Sequence, residues 1–155
     1  MISLYHFTQK SVKKLKPLST PLNAQNSLRM DKPMGLWVSD EDAEMPWSRW
    51  CIGEAFGLER LALKWKINLK QDSNILLIDN PYSLLEFGEE YRGEPSYHGL
   101  NINWQRVATL YNGILITPYQ HSLRFNEHCR WYYGWDCASG CIWNADVIES
   151  VELER

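Results

Sequence analysis

The residues of this chain best suited to chemistry gather in RWYYGWDCASGCIWN, Arg130 to Asn144. One carboxylate, Asp136, stands among Trp131, Tyr132, Tyr133, Trp135 and Trp143, with Cys137 and Cys141 just beyond it. An acid is costly to bury among rings unless it is paired or used. Four chemistries compete for it and its neighbours.

Zinc binding would draw on His128, Cys129, Cys137 and Cys141. Structural zinc sites set their ligands in close pairs on tight turns. Here Cys137 and Cys141 lie on a turn leading into a strand, so the expectation is no metal and cysteines used as small buried hydrophobes. Nucleophilic catalysis would pair a cysteine with His98, His121 or His128. The adjacent Asp136 opposes thiolate formation at Cys137 by raising its pKa. A phosphate-cradling loop is not written in the chain, which has neither GxxxxGK[ST] nor GxGxxG. The fourth constellation spans the sequence: His6 in ISLYHF, Ser39 closing GLWVS, and Asp136 in WDCASG.

These residues need strands to carry them. ISLYHF, residues 2–7, reads as a short strand, and TQKSVKKLKPL as a helix capped by Thr8 or Ser11 and ended by Pro17. Residues 19–34 read as loop, and Met34 to Asp40 as a strand. DEDAEMPWSRWCIGEAFGL reads as a turn and then a helix. Pro46 suits its first position, with Trp47, Trp50 and Cys51 on one face. RLALKWKINLK alternates as a half-buried strand, and NILLID, Asn74 to Asp79, reads as a more fully buried one. PYSLLEFGEEYRG is a helix with Pro81 near its start and Gly93 past its end. Loop is expected over 94–102, a short helix from Asn103, a strand from Gly113 halted by Pro118, then strands SGCIWN and IESVELE. Strands and helices do not alternate regularly, so the class is α+β.

The chain has 155 residues, enough for one domain over 1–155 with a sizeable core. Its net charge of −3 argues against a broad phosphate-gripping surface. A single bound nucleotide remains compatible with it. Eight tryptophans and eight tyrosines are expected mainly in the core, with a minority free to stack on a flat ligand. No apolar run precedes a cleavage site, and none is long enough to span a membrane. The expected location is cytoplasmic, in the producing cell or an infected host cell.

On these motifs the chain resembles the ADP-ribosyltransferase superfamily, the clan of diphtheria toxin and the poly(ADP-ribose) polymerases. It looks most like short bacterial and phage members, among them a small anti-CRISPR type. LYHFT, Leu4 to Thr8, is similar to the family's first motif. GLWVSDE, Gly35 to Glu41, is similar to the second, and WDCASGCIWN, Trp135 to Asn144, to the third. NWQRVATLYNGILITPY adds a helix feeding a strand before the acidic motif.

The resemblance implies two small, mostly antiparallel sheets, split and packed together with short flanking helices, and NAD in the cleft. It implies cleavage of the nicotinamide–ribose bond and transfer of ADP-ribose to a macromolecular acceptor, a protein side chain rather than a nucleobase. His6 would meet a ribose hydroxyl, the Phe7 backbone the nicotinamide amide, and Trp37 and Ser39 the nicotinamide ribose. Asp136 would be the catalytic acid, with Thr8 and Trp50 also on the NAD side. Trp37, Trp47, Trp50, Phe56 and Tyr91 are candidates to stack on the nicotinamide. Arg49, Lys10 and Lys32 are candidates for the pyrophosphate. The chain departs from the family at Phe7, where glycine is common. It departs again at Gly134, where many members carry a second carboxylate or an amide; that absence counts against arginine as the acceptor.

The chemistry suits a lone acid. Nicotinamide departure builds positive charge on the ribose, as in glycoside hydrolysis. A fixed carboxylate in a water-poor site stabilises that charge. Three alternatives stand beside the transferase: hydrolysis of NAD without an acceptor, a 2′-phosphotransferase-like activity, and a non-enzymatic inhibitor or adaptor that binds a partner through exposed aromatics. A local patch of Lys10, Lys13, Lys14 and Lys16 is where nucleic acid would bind, though it is not the favoured partner.

Overall fold

A computed structural model describes residues 2–15, 32–94 and 101–155. The nominated His98 and Lys16, with the loop over 19–31 and the proline expected to end the first helix, lie outside the described residues.

The architecture is mixed α+β. The strands are β1 (Leu4–Thr8), β2 (Leu36–Asp40), β3 (Leu63–Leu69), β4 (Ile75–Ile78), β5 (Gly113–Ile116), β6 (Ser139–Ile142) and β7 (Ile148–Glu154). They form one seven-stranded sheet in the order β4-β5-β6-β2-β1-β3-β7. Only β4 and β5 run parallel. The resemblance implied two sheets; the hydrogen-bonded ladders instead run on from β4 to β7.

The joint at the middle is nevertheless thin. β1 and β2 pair only at Leu4–Asp40 and Tyr5–Ser39. On either side, β1 pairs with β3 over four residues and β2 with β6 over four. Past Tyr5 the β1 edge that faces β2 has no ladder partner among the described residues.

Each face of the sheet has its own core, because successive side chains alternate. On one face, α2 (Pro81–Glu90) and α3 (Trp104–Leu110) join the aromatics of residues 127–135 over Ile114, Ile116 and Cys141. Trp104 and Tyr132 are fully buried there. On the other face, Leu4, Val38, Trp65, Ile67, Leu115 and Ile142 form a second core. This face also holds an open cavity of about 550 Å³ lined by Leu4, Ile67, Ile75, Leu77 and Leu115. None of the nominated site residues lines it.

Local chemistry sets the elements. Asn80 caps α2 by accepting from the Ser83 N–H at 2.9 Å, and Asn103 caps α3 by accepting from Arg106 N–H. Pro46 is the N-cap of α1 (Trp47–Glu54), one position earlier than expected. After α1, Ala55 and Gly57 take left-handed conformations with φ of 51° and 55°. They fold Phe56 back over the helix, at a cost of about 1–2 kcal/mol for the non-glycine Ala55.

Two expectations are corrected. The helix after β1 does not form: residues 9–15 are turns and bends. Its proposed cap, Thr8, stays in β1, with its buried hydroxyl accepting from Trp65 Nε1 at 2.8 Å. The segment is short, and its lysines at 10, 13 and 14 repel, so no helix can propagate. NILLID is not fully buried either. β4 lies at the sheet edge, and Leu77 is 46% exposed.

Candidate functional site

At the thin joint His6 replaces a ladder bond with its side chain. Its Nδ1–H donates to the Trp37 carbonyl at 2.6 Å. Burial holds the His6 pKa below the ordinary value of 6.5, against the opposing effect of that carbonyl. The ring is therefore neutral at pH 7, with its proton on Nδ1 and a lone pair left on Nε2.

Trp37 carries the site onward. Its ring meets Trp135 edge-on with centroids 4.9 Å apart, and the Lys32 ammonium lies 5.2 Å from its ring centroid. Trp135 immediately precedes Asp136. Two backbone bonds hold this loop against the end of β2: Asp40 N–H donates to the Ala138 carbonyl at 3.0 Å, and Ala138 N–H to Met45 at 2.8 Å. Gly140 follows in β6, where an added Cβ would strike the Ile114 carbonyl of β5. The small residues of ASG thus permit the close approach of β6 to β5.

Asp136 is one-quarter exposed and takes Arg124 Nη2 at 3.3 Å. Burial raises its pKa above 3.8; Lys32 and Arg124 act to lower it, and Glu54 adds to the rise. Burial likewise lowers the Lys32 pKa, and Asp136 opposes the drop. Beside the acid, the Tyr119 hydroxyl and Arg124 Nε are buried without a well-formed hydrogen bond among the described residues. Arg124 and Tyr119 were missed in the sequence. Arg124 lies twelve residues before the acid, across an irregular turn, so no periodic pattern marks it.

The nominated residues separate into two groups. His6 is bonded to Trp37, Lys32 lies over the Trp37 ring, and Asp136 follows Trp135, which packs against that ring. Ser39 is buried and serves α1 instead: its hydroxyl accepts from Trp47 N–H at 2.8 Å and donates to Glu41 at 2.6 Å. Ser48 also donates to Glu41. Thr8 is spent on Trp65. Phe7 is half-buried and paired with Lys64 of β3, with its other edge beyond the end of the β1–β2 ladder.

Trp50 sits on α1, stacked on Trp47 with centroids 5.1 Å apart, and Phe56 meets both edge-on. Tyr91 is removed as a stacking candidate. It is buried against Phe87, with the Arg106 guanidinium over its ring. Arg49 is exposed and donates to the Glu44 carbonyl. Lys10, Lys13 and Lys14 are exposed.

All four cysteines are buried and free. Burial pushes the Cys129 thiol up to about 11 and Cys137 to about 12, with Asp136 a smaller contributor at Cys137. Neither is poised as a thiolate nucleophile. His128 is exposed beside buried Cys129, and among the described residues no three metal-binding side chains converge. No helix among the described residues is long and apolar enough to cross a membrane. Comparison with protein-family models, with curated proteins and with solved structures returned no match.

Proposed function

We propose that the chain is a NAD-dependent ADP-ribosyltransferase acting at the β1–β2 joint. The observation that carries this reading is the run of contacts from His6 through Trp37 to Trp135, the residue that precedes Asp136 in the chain. It draws the three sequence motifs that resemble the superfamily toward one place.

Each group then has a task. Nε2 of neutral His6 accepts a hydrogen bond from a ribose hydroxyl. The free β1 edge at Phe7 offers backbone groups to the nicotinamide amide. The face of Trp37 already holds one cation, the Lys32 ammonium, and suits the cationic pyridinium of NAD. Lys32, Arg124 and the Tyr119 hydroxyl offer donors to the pyrophosphate. As the C1′–N bond breaks, nicotinamide leaves with the bonding pair and positive charge grows on the ribose. Ionised Asp136 stabilises that charge. The acceptor nucleophile then bonds to C1′ and gives up its proton.

The test is release of nicotinamide from NAD, followed by chromatography, with labelled NAD and a lysate to reveal the acceptor. Release with a labelled macromolecule supports the transferase. Free ADP-ribose without an acceptor selects the glycohydrolase. No release and no saturable NAD binding overturns the reading and leaves the non-enzymatic alternative.

A further inference from the structure

One face of α1 presents an aromatic plate that the proposed chemistry does not use. Trp47 and Trp50 stack nearly parallel, at 13°, and Phe56 closes their edge. Phe56 is 47% exposed, and Leu58 just beyond it is 50% exposed. Exposed apolar side chains grouped on one face mark a contact surface.

The charge around the plate says what it would contact. Residues 41–60 carry Glu41, Asp42, Glu44, Glu54 and Glu59 against only Arg49 and Arg60. Glu54 lies four residues after Trp50 on α1, so the two share a face, and Glu41 is tied to Ser48 of the same helix. Arg60 is engaged loosely by Glu59 at 3.8 Å, and Arg49 by a backbone carbonyl. Glu54 has no ion-pair partner among the described residues. Aromatic faces beside unpaired carboxylates suit guanidinium and ammonium groups, which gain from both. They repel phosphates.

The Trp47 N–H bond to Ser39 ties this helix to the end of β2.

We infer that the Trp47–Trp50–Phe56 plate with Glu54 docks a basic, arginine- or lysine-bearing segment of a partner protein. Its role as the dock that presents an acceptor rests on the transferase reading; the binding does not. The residue that receives ADP-ribose need not itself be basic.

The test is fluorescence anisotropy with dye-labelled nonapeptides that differ only in three positions, Arg, Lys or Gln, plus a labelled single-stranded oligonucleotide. Saturable, salt-sensitive binding of the Arg peptide is expected, with weaker binding of Lys and none of Gln. Trp50→Ala should weaken it about tenfold. Trp50→Phe, which keeps a ring, should hold most of the affinity, and its folding is checked by circular dichroism. Glu54→Gln should weaken binding about threefold and flatten the salt dependence. Equal affinity for Arg and Gln peptides, tighter binding of the oligonucleotide, or wild-type affinity in both Trp50→Ala and Glu54→Gln overturns the inference. Peptide binding without any NAD cleavage leaves the surface standing and removes the transferase. NAD cleavage without peptide binding does the reverse.

Discussion

Asp40 and Asp136 are two carboxylates on neighbouring segments, joined by the bond from Asp40 N–H to Ala138. Their surroundings differ. Asp40 is 4% exposed and held by hydrogen bonds: Thr117 Oγ1–H donates to it at 2.6 Å and Asp42 N–H at 3.1 Å. Asp136 is open at one side and faces cations at longer range, Arg124 at 3.3 Å and Lys32. A buried acid whose bonds are met is a structural fixture. A desolvated acid held by side-chain cations at longer range keeps its field available to a ligand.

Substitution should separate the two. Asp40→Ala leaves the Thr117 hydroxyl buried without its acceptor, and should cost about 3 kcal/mol in a denaturant titration. Asp136→Asn should lower nicotinamide release by about 10²–10³-fold. It should cost no stability at pH 7. Burial raises the Asp136 pKa above 3.8, so ionising that group disfavours the fold as pH rises through the window above 3.8. The amide removes that penalty. A denaturant midpoint for Asp136→Asn as low as that of Asp40→Ala would erase the distinction.

The cations sharpen the contrast further. Arg124→Met or Lys32→Met removes a group that lowers the Asp136 pKa, so the acid limb of the NAD-cleavage profile should move to higher pH. An unchanged limb would show that Asp136 does not set it. The smallest effect should come from His6. Its pKa lies below 6.5, so NAD affinity by calorimetry should be flat from pH 7 to 8. Below 6.5 affinity should fall, as Nε2 gains a proton and ceases to accept. His6→Gln should abolish that fall.

Much of the sheet was legible because its strands alternate or follow turn residues: β3 in LALKWKINL and β7 in IESVELE show period two, and Pro118 stops β5. Helix starts were legible through Pro81 and Asn103. Edge position was not, since four aliphatic residues in ILLI look the same at an edge as in the middle. The basic segment after β1 looked helical because a hydroxyl preceded it. That hydroxyl's partner, Trp65, lies 57 residues away and is invisible to local reading. The same limit applies at the site. His6, Trp37 and Asp136 stood out by type and Lys32 as a candidate for the pyrophosphate, whereas Arg124 matters only through its 3.3 Å approach to the acid. Ser39 and Trp50 were grouped with the acid, and the packing of α1 engages both instead: Ser39 bonds the Trp47 N–H, and Trp50 stacks on Trp47.

The two-pair joint between β1 and β2 has a consequence for motion. Parting the halves there requires breaking two residue pairs, the Glu41 N–H bond to the Ser3 carbonyl and the His6–Trp37 bond; parting β1 from β3 or β2 from β6 requires four pairs. Thermal opening therefore concentrates on this seam. Amide hydrogen exchange should be fastest, among central strands, along the facing edges of β1 and β2, and a ligand that bridges them should slow it more there than anywhere else in the sheet.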